Sequence, residues 1–448
     1  MRSNNITVIV TNYNIPLHLF IRCMDSIKQF GLSYIIIDDA STNKDVSEYY
    51  PESIILPKNV GTYKAFNEGL KLVPTKYIMR VDGDDYITGV PDISSNYDAY
   101  LNDIEGKVPR TVEQCITQPY AGFNGATVKT KVLRKMWYTG VKYMGDIINL
   151  ARLLKNFKCK FNDTSLYVYD YGRPGSITSA PFSIRKNDIA HAKRIIEMER
   201  NLSGYAQIEI TTKCNMKCFY CCIEDMGYKD MEFEIFKSIV DKYYLKTKFR
   251  LQGIGEPTLH KHFLELIDYI HSKNLGHEVD FITNGKNSIS AEILSNVREV
   301  LFSVDDVHLN PEKETKCLDM SRNHILEVVK YRDEINPNLK IQILSVNYGQ
   351  PLWEIKRFCD ENKIKFFDKP LNNNEAFSHR YQTQVKTIGH KCLYVDNLQM
   401  NYYYLDGTEA PCCFIPDSNK AQSREAIKTQ LSKGIIPSCC TGCNILRV

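Results

Sequence analysis

Residues 208–222 read IEITTKCNMKCFYCC, a short apolar run that opens into Cys214, Cys218 and Cys221 spaced C-x3-C-x2-C. The run reads as a β-strand, so the thiols stand on the loop at its carboxyl end. Thiolates are the standard ligands of iron–sulfur clusters, and three of them leave one iron open to a cofactor. Structural zinc asks for four ligands in a closed tetrahedral set. Cys222, adjacent to Cys221, cannot easily join the other three at one metal. The triplet therefore favours a cluster with a vacant iron.

The chain has 448 residues, too many for one hydrophobic core, so two or three domains are expected. Its formal net charge of +4 is small for this length, and nothing in the balance points to nucleic acid or a membrane surface. The opening MRSNNITVIVTNYN lacks the layout of a secretory signal, and no run approaches the ~18–20 apolar residues of a membrane span. Fifteen cysteines then argue for a reducing cytosol, where clustered thiols serve as metal ligands. Cys23, Cys115, Cys159, Cys317 and Cys359 are isolated and read as small core residues. The others form two groups, 214–222 and 392–443, which implies two metal sites.

Working outward from the triplet, QIEIT, KFRLQG, VDFIT, VLFSV, IQILSV and KFFD are separated by helix-length segments. Six such units suit a partial (β/α)6 TIM barrel, since a full eightfold barrel usually needs ~250 residues. Upstream, ITVIVTNYN, YIIIDDAS, SIILPK and KYIMRVDGDD alternate with helical sequence, which implies a mainly parallel α/β sheet with functional groups at the strands' carboxyl ends. We expect four segments: an α/β domain over 1–181, a charged helical linker over 182–203, the barrel over 204–378 and a small metal-stapled domain over 379–448.

The triplet with Tyr220 resembles the C-x3-C-x-aromatic-C signature of radical S-adenosylmethionine enzymes. Supporting motifs occur in that family's order: LQGIGEPTLH with Gly255, Glu256 and Pro257, FITNG with Thr283, Asn284 and Gly285, and LFSVDD with Ser303 and Asp305. Ile254 stands where the family often has another glycine. The resemblance implies a [4Fe-4S] cluster on Cys214, Cys218 and Cys221 and S-adenosylmethionine chelating the open iron. Tyr220 is then near the adenine, the GIGEP backbone around the methionyl amine, and Asn284, Ser303 and Asp305 along the ribose and carboxylate. Reductive cleavage of the cofactor yields a 5′-deoxyadenosyl radical that abstracts hydrogen from substrate.

The motifs VIVTNYN, IIIDDAS, KNVGTYKAFNEGL and YIMRVDGDD resemble family 2 glycosyltransferases of the GT-A (Rossmann-like) fold over residues 5–90, and more faintly to 180. That likeness implies a nucleotide-sugar donor, with Asp39 at the base and Asp38 beside it. Asn59, Gly61 and Asn67 are expected to line the donor cleft. Asp82 and Asp84 are expected to bind Mn2+ or Mg2+ that clamps the diphosphate. Asp146, in YMGDIINLARLLK, is the candidate general base, with a helix N-cap as the competing reading. Arg173 in YDYGRPGSIT is expected to meet diphosphate.

The last cysteines resemble the SPASM extension of radical enzymes in its shorter twitch form. This implies a second [4Fe-4S] cluster on Cys392, Cys412, Cys440 and Cys443, with zinc as the rival metal and Cys413 and Cys439 unassigned. The combination suggests a bifunctional enzyme, transferring a sugar and abstracting hydrogen (dehydrogenation or epimerisation) on a carbohydrate-type or glycosylated product. A maturase acting on a ribosomally made peptide is the alternative, and a binding-only first domain the third reading. A flavodoxin or ferredoxin is the implied electron donor.

Overall fold

The computed structural model describes residues 5–446 apart from 94–95, 104–106, 119–122, 139, 142–143, 163–164, 171–181, 223–226, 310–313, 372–388, 397–399, 416–417 and 444. The chain forms two compact units, Met1–Asn201 and Leu202–Val448.

Among the described residues, the first unit is built on a seven-stranded sheet. It comprises β1 (Ile6–Asn12), β2 (Ser33–Asp38), β3 (Ile54–Ile55), β4 (Tyr77–Asp82), β6 (Ala99–Leu101), β7 (Thr127–Lys129) and β8 (Cys159–Phe161), in the order β3-β2-β1-β4-β7-β6-β8. A small ribbon of β5 (Tyr86–Ile87) and β9 (Tyr167–Val168) stands apart. Strand β1 is buried along its whole length, which is why ITVIVTN reads as a continuous apolar run rather than an alternating one. Helix Leu17–Gln29 buries Phe20, Cys23, Met24 and Ile27, a helical period laid on the sheet. Helix Thr62–Leu72 comes close enough that a Cβ on Gly69 would lie 2.9 Å from Ile9 Cγ2. The parallel series β1–β2–β3 runs one way from β1 while β4 pairs on its other side. The strand order therefore reverses between β1 and β4, and the carboxyl ends there form the crevice where such sheets bind ligands.

Residues 182–203 begin with the helix Phe182–Arg200. It buries Ala192 and Ile196, and Glu199 receives the Arg152 guanidinium at 2.9 Å from the helix Gly145–Asn156. The helix thus packs into the first unit, whereas Leu202 belongs to the core of the second.

The second unit carries β10 (Tyr205–Ile208), β11 (Lys248–Leu251), β12 (Glu278–Thr283), β13 (Glu299–Ser303), β14 (Lys340–Asn347) and β15 (Lys365–Pro370), all parallel, with helices between them. These are the six expected strands. Strand β16 (Asn401–Tyr403) adds itself parallel to β10 at the other edge, and β17 (Glu409–Ala410) pairs antiparallel to β16. The sheet therefore continues past residue 378 into the segment expected to be a separate domain. Alternation along each strand sorts the side chains. Ile208, Phe249, Leu251, Phe281, Val300, Phe302 and Ile343 face the helices and make the core. Polar side chains on the other face bond one another: Gln207 Nε2 to Gln252 Oε1 at 2.6 Å, and Arg250 to Asp280 at 2.5 and 3.1 Å. No described helix is long and apolar enough to cross a membrane.

Candidate active sites

In the first unit, Asp82 at the end of β4 and Asp146 on a helix converge on one buried cation. Arg80 and Asp82 are two apart on β4 and so share a face. Arg80, only 2% exposed, donates to Asp82 at 2.9 and 3.1 Å, to Asn124 Oδ1 at 2.9 Å and to Asp146. Tyr63 lies under its guanidinium, 5.5 Å from ring centre. Burial alone would lower the Arg80 pKa, but Asp146 and Asp82 raise it, so the group stays charged. Asp82 also accepts from Thr11 Oγ1 at 3.3 Å and Asn124 Nδ2 at 3.1 Å. Asp146 sits one residue inside its helix, whose N-cap is Met144, so the N-cap reading does not hold. Burial raises its pKa, opposed by Arg80.

Asp38 is buried and tied to Asn12 Nδ2 at 2.6 Å and the Ser41 amide at 2.7 Å. Asp39 accepts from the Val60 and Gly61 amides at 2.7 and 2.8 Å, and Asn59 Nδ2 reaches its carbonyl at 3.3 Å. Asp39 thus braces the loop that opens helix Thr62–Leu72, while Asp38 ties the end of β1 to the Ser41 turn. Gly61 caps that helix at φ 88, a left-handed value that favours glycine. Asn67 is half-buried one turn further on. Asp84 offers its carbonyl to Arg22 at 2.7 Å. Its neighbour Asp85 is buried against Tyr167, and burial, then Asp82 and Asp84, push its pKa up to about 8. Arg173 lies outside the described residues.

In the second unit, one partly open cleft gathers the expected site. Cys214, Cys218, Cys221, Tyr220, Gly255, Glu256, Asn284 and Ser303 all line it, together with Gln252 and Lys316. The loops are knitted by Glu256, whose carboxylate accepts from Thr258 Oγ1 at 2.7 Å, Thr283 Oγ1 at 2.8 Å and the Asn284 amide at 2.7 Å. Burial raises its pKa against those bonds. Gly255 passes so close to the thiol loop that a Cβ would meet Thr211 O at 2.3 Å. Asn284 Nδ2 stands 3.9 Å from Cys214 Sγ. Burial pushes the Cys218 thiol up to about 11, with Lys316 pulling the other way.

Pro257 and Asp305 do not line the cleft. Pro257 starts the short 3-10 turn Pro257–Leu259 behind it. Asp305 is wholly buried and accepts from Tyr220 Oη at 2.5 Å and the Val346 amide at 2.8 Å. It holds Tyr220 from behind rather than facing a ligand.

Three thiols in one cleft, with Cys222 buried outside it, are the donor set that three irons of a cluster require. Among the described residues, no three His, Cys, Asp or Glu side chains are gathered closely enough to hold a single metal ion. A cluster triad meets three separate irons, one per thiolate.

The late cysteines divide by packing. Cys392, Cys439, Cys440 and Cys443 are buried in one apolar core with Ile415, Ile427 and Leu431, and Cys412 packs against it. Cys413 turns instead to the core of Met400, Tyr402 and Tyr404. Cys439 Sγ lies 3.8 Å from Cys440 Sγ.

Arg80 and Lys316 are the residues that motif reading passes over. An arginine inside an apolar strand, two residues before Asp82, was a usable signal, because a charge buried there needs partners. Lys316 sits in a loop with no motif, and no sequence signal marks it.

Two family descriptions match the chain: glycosyl transferase family 2 over residues 7–91 and the radical SAM superfamily over residues 208–359. It is similar to the tungsten-containing aldehyde ferredoxin oxidoreductase cofactor-modifying protein of Pyrococcus furiosus, 28% identical over 172 residues, which are 34% of this chain and 47% of that protein. It is also similar to the S-adenosylmethionine-dependent nucleotide dehydratase of Selenomonas ruminantium, 25% identical over 194 residues, 38% of this chain and 68% of that one. The chain thus spans about half the length of the first of these relatives. Among solved structures, Streptococcus suis SuiB bound to S-adenosylmethionine aligns at 14% identity and a TM-score of 0.39, over 55% of this chain and 70% of that one. That likeness is too distant to carry argument.

Proposed function

From a chain that joins a glycosyltransferase family 2 domain to a radical S-adenosylmethionine domain, we propose a bifunctional enzyme. It transfers a sugar from a nucleotide donor, and it abstracts hydrogen from a carbohydrate-type or glycosylated product. The observation that carries the radical half is the single cleft in which the thiol triad, the GIGEP loop, Asn284 and Ser303 meet at the carboxyl ends of β10–β13. Cys214, Cys218 and Cys221 hold a [4Fe-4S] cluster there, and Tyr220, Gly255, Glu256, Asn284 and Ser303 shape the place for S-adenosylmethionine. When bound, the pair supplies one-electron cleavage and the radical that removes hydrogen. The chain's part is orientation: Glu256 locks two loops together, and Asp305 fixes Tyr220.

In the other half, Asp82 and Asp84 bind Mn2+ or Mg2+, Asp39 and Asn67 flank the donor, and Asp146 takes the acceptor proton. Arg80 holds Asp146 beside Asp82, which supports a shared site. Cys392, Cys412, Cys440 and Cys443 hold a second cluster, supported by their common burial. The domain limits follow these groups, with the C-terminal lobe continuous with the barrel sheet.

Anaerobic reconstitution tests the scheme. About eight irons per chain are expected, with 5′-deoxyadenosine formed by the wild type and absent in Cys218→Ala. Mn2+-dependent hydrolysis of a UDP-sugar should vanish in Asp82→Asn. Cofactor cleavage that survives Cys218→Ala would refute the radical assignment.

A further inference from the structure

Lys316 is the cation among the described residues that line the cleft, and its surroundings aim it. It lies on the loop after β13, with its side chain only 15% exposed. Its Nζ stands 3.5 Å from Asp305 Oδ2 and 5.0 Å from the centre of the Tyr220 ring. Tyr220 Oη donates to that same carboxylate oxygen at 2.5 Å, while Asp305 Oδ1 accepts from the Val346 amide at 2.8 Å. Asp305 is thus fixed from several sides and wholly buried, away from the cleft. The ammonium is coupled through its charge to Cys218 and Cys221. Lys316 lines the cleft with the thiols while Asp305 does not, and of the two charges felt by Cys218 the ammonium's is the larger.

That arrangement has a consequence for electron uptake. Three thiolates already concentrate negative charge in one cleft, and a cluster held there becomes more negative by one unit on reduction. A fixed cation nearby, in a poorly screened site, offsets the added charge, and net charge is one of the levers on cluster potential. We infer that Lys316 is a positioning residue that favours one-electron reduction of a cluster on Cys214, Cys218 and Cys221. This rests on the radical S-adenosylmethionine reading above. The electron comes from a one-electron protein donor of flavodoxin or ferredoxin type, or in the assay from a dithionite-poised viologen, and no bond forms or breaks in the step.

The experiment is a redox titration of the reconstituted full chain followed by electron paramagnetic resonance. The relevant signal is the one that changes when S-adenosylmethionine is added. In Lys316→Met, the reduced-to-oxidised ratio at a fixed applied potential should fall about tenfold, a shift of ~59 mV for one electron. Lys316→Arg should stay near wild type. Because Lys316→Met strands a buried carboxylate, Lys316→Met with Asp305→Asn is measured alongside, and it too should lower the ratio, since the ammonium lines the cleft and acts on Cys218 more strongly than the carboxylate does. An unchanged ratio in both Met variants overturns the inference while leaving the radical reading intact. A wild type with no signal responsive to S-adenosylmethionine overturns that reading and this inference with it.

Discussion

Replacing Arg80 with methionine should break the first unit in a way that can be undone. The guanidinium is 2% exposed and bonded to Asp82, Asn124 and Asp146, and the Asp146 side chain is itself only 10% exposed. Removing one partner of a buried ion pair costs about 3–5 kcal/mol, because the other charge is left uncompensated. Asp82 is 21% exposed at its side chain and can turn to water, so most of the loss falls on Asp146. Replacing both buried charges by apolar groups is often neutral, so Arg80→Met with Asp146→Leu should recover at least half of the loss. The single variant should also depend on pH. Burial already raises the Asp146 pKa, and without Arg80 the carboxyl is raised further. A raised acid contributes stability that is present below its unfolded value of ~3.9 and lost as pH climbs through the folded value, at up to ~1.36 kcal/mol per pH unit. Arg80→Met should therefore approach wild type near pH 4 and diverge from it towards neutrality. The chain has two tryptophans, which gives a clean assay. Trp137 packs against Phe66, ring centres 4.5 Å apart, inside the first unit, whereas Trp353 is 59% exposed in the second. Urea unfolding followed by Trp137 fluorescence in a Trp353→Phe background reads the first unit alone. A loss under ~1 kcal/mol, or a double variant no better than the single one, would sink the reasoning.

Gly255→Ala places a Cβ 2.3 Å from Thr211 O and 2.7 Å from Lys213 O, backbone that cannot yield. It should abolish S-adenosylmethionine binding by equilibrium dialysis, and retained binding would show the loop to be softer than argued. Glu209 is buried, bonded to the Ile254 amide at 3.1 Å and Tyr402 Oη at 3.0 Å, and burial pushes its pKa up to about 7. Its folded value is raised, so its contribution is complete below ~4.3 and lost as pH rises through about 7. Glu209→Gln should flatten that slope in the calorimetric transition of the second unit, whereas an unchanged slope would assign it to another group. Cys412→Ser should release about four irons from the reconstituted chain and Cys413→Ser none, because only Cys412 packs with Cys392, Cys440 and Cys443. Equal losses from the two would reject that division.

The strands of both sheets were legible in the chain because burial on one face or both imposes a short-range pattern, and β10–β15 appear where alternation puts them. The cleft residues Cys214, Cys218, Cys221, Gly255 and Asn284 were legible too, since each lies on the loop that follows a strand and parallel strands bring those loops to one face. Long-range pairing was not. That β16 joins β10 across nearly 200 residues depends on which edge is left open, and YYYLDG carries no mark of its partner. Asp305 looked like a cleft residue from its motif, but it lies beyond the end of β13 and its carboxylate is taken up by Tyr220 and the Val346 amide. The opening stretch, IEITTKCNMKCFYCC, thus determined where the three thiols lie and how many they are. Only the tertiary structure decided which charges stand against them, because Lys316 and Arg80 take their meaning from partners brought close by packing rather than by sequence.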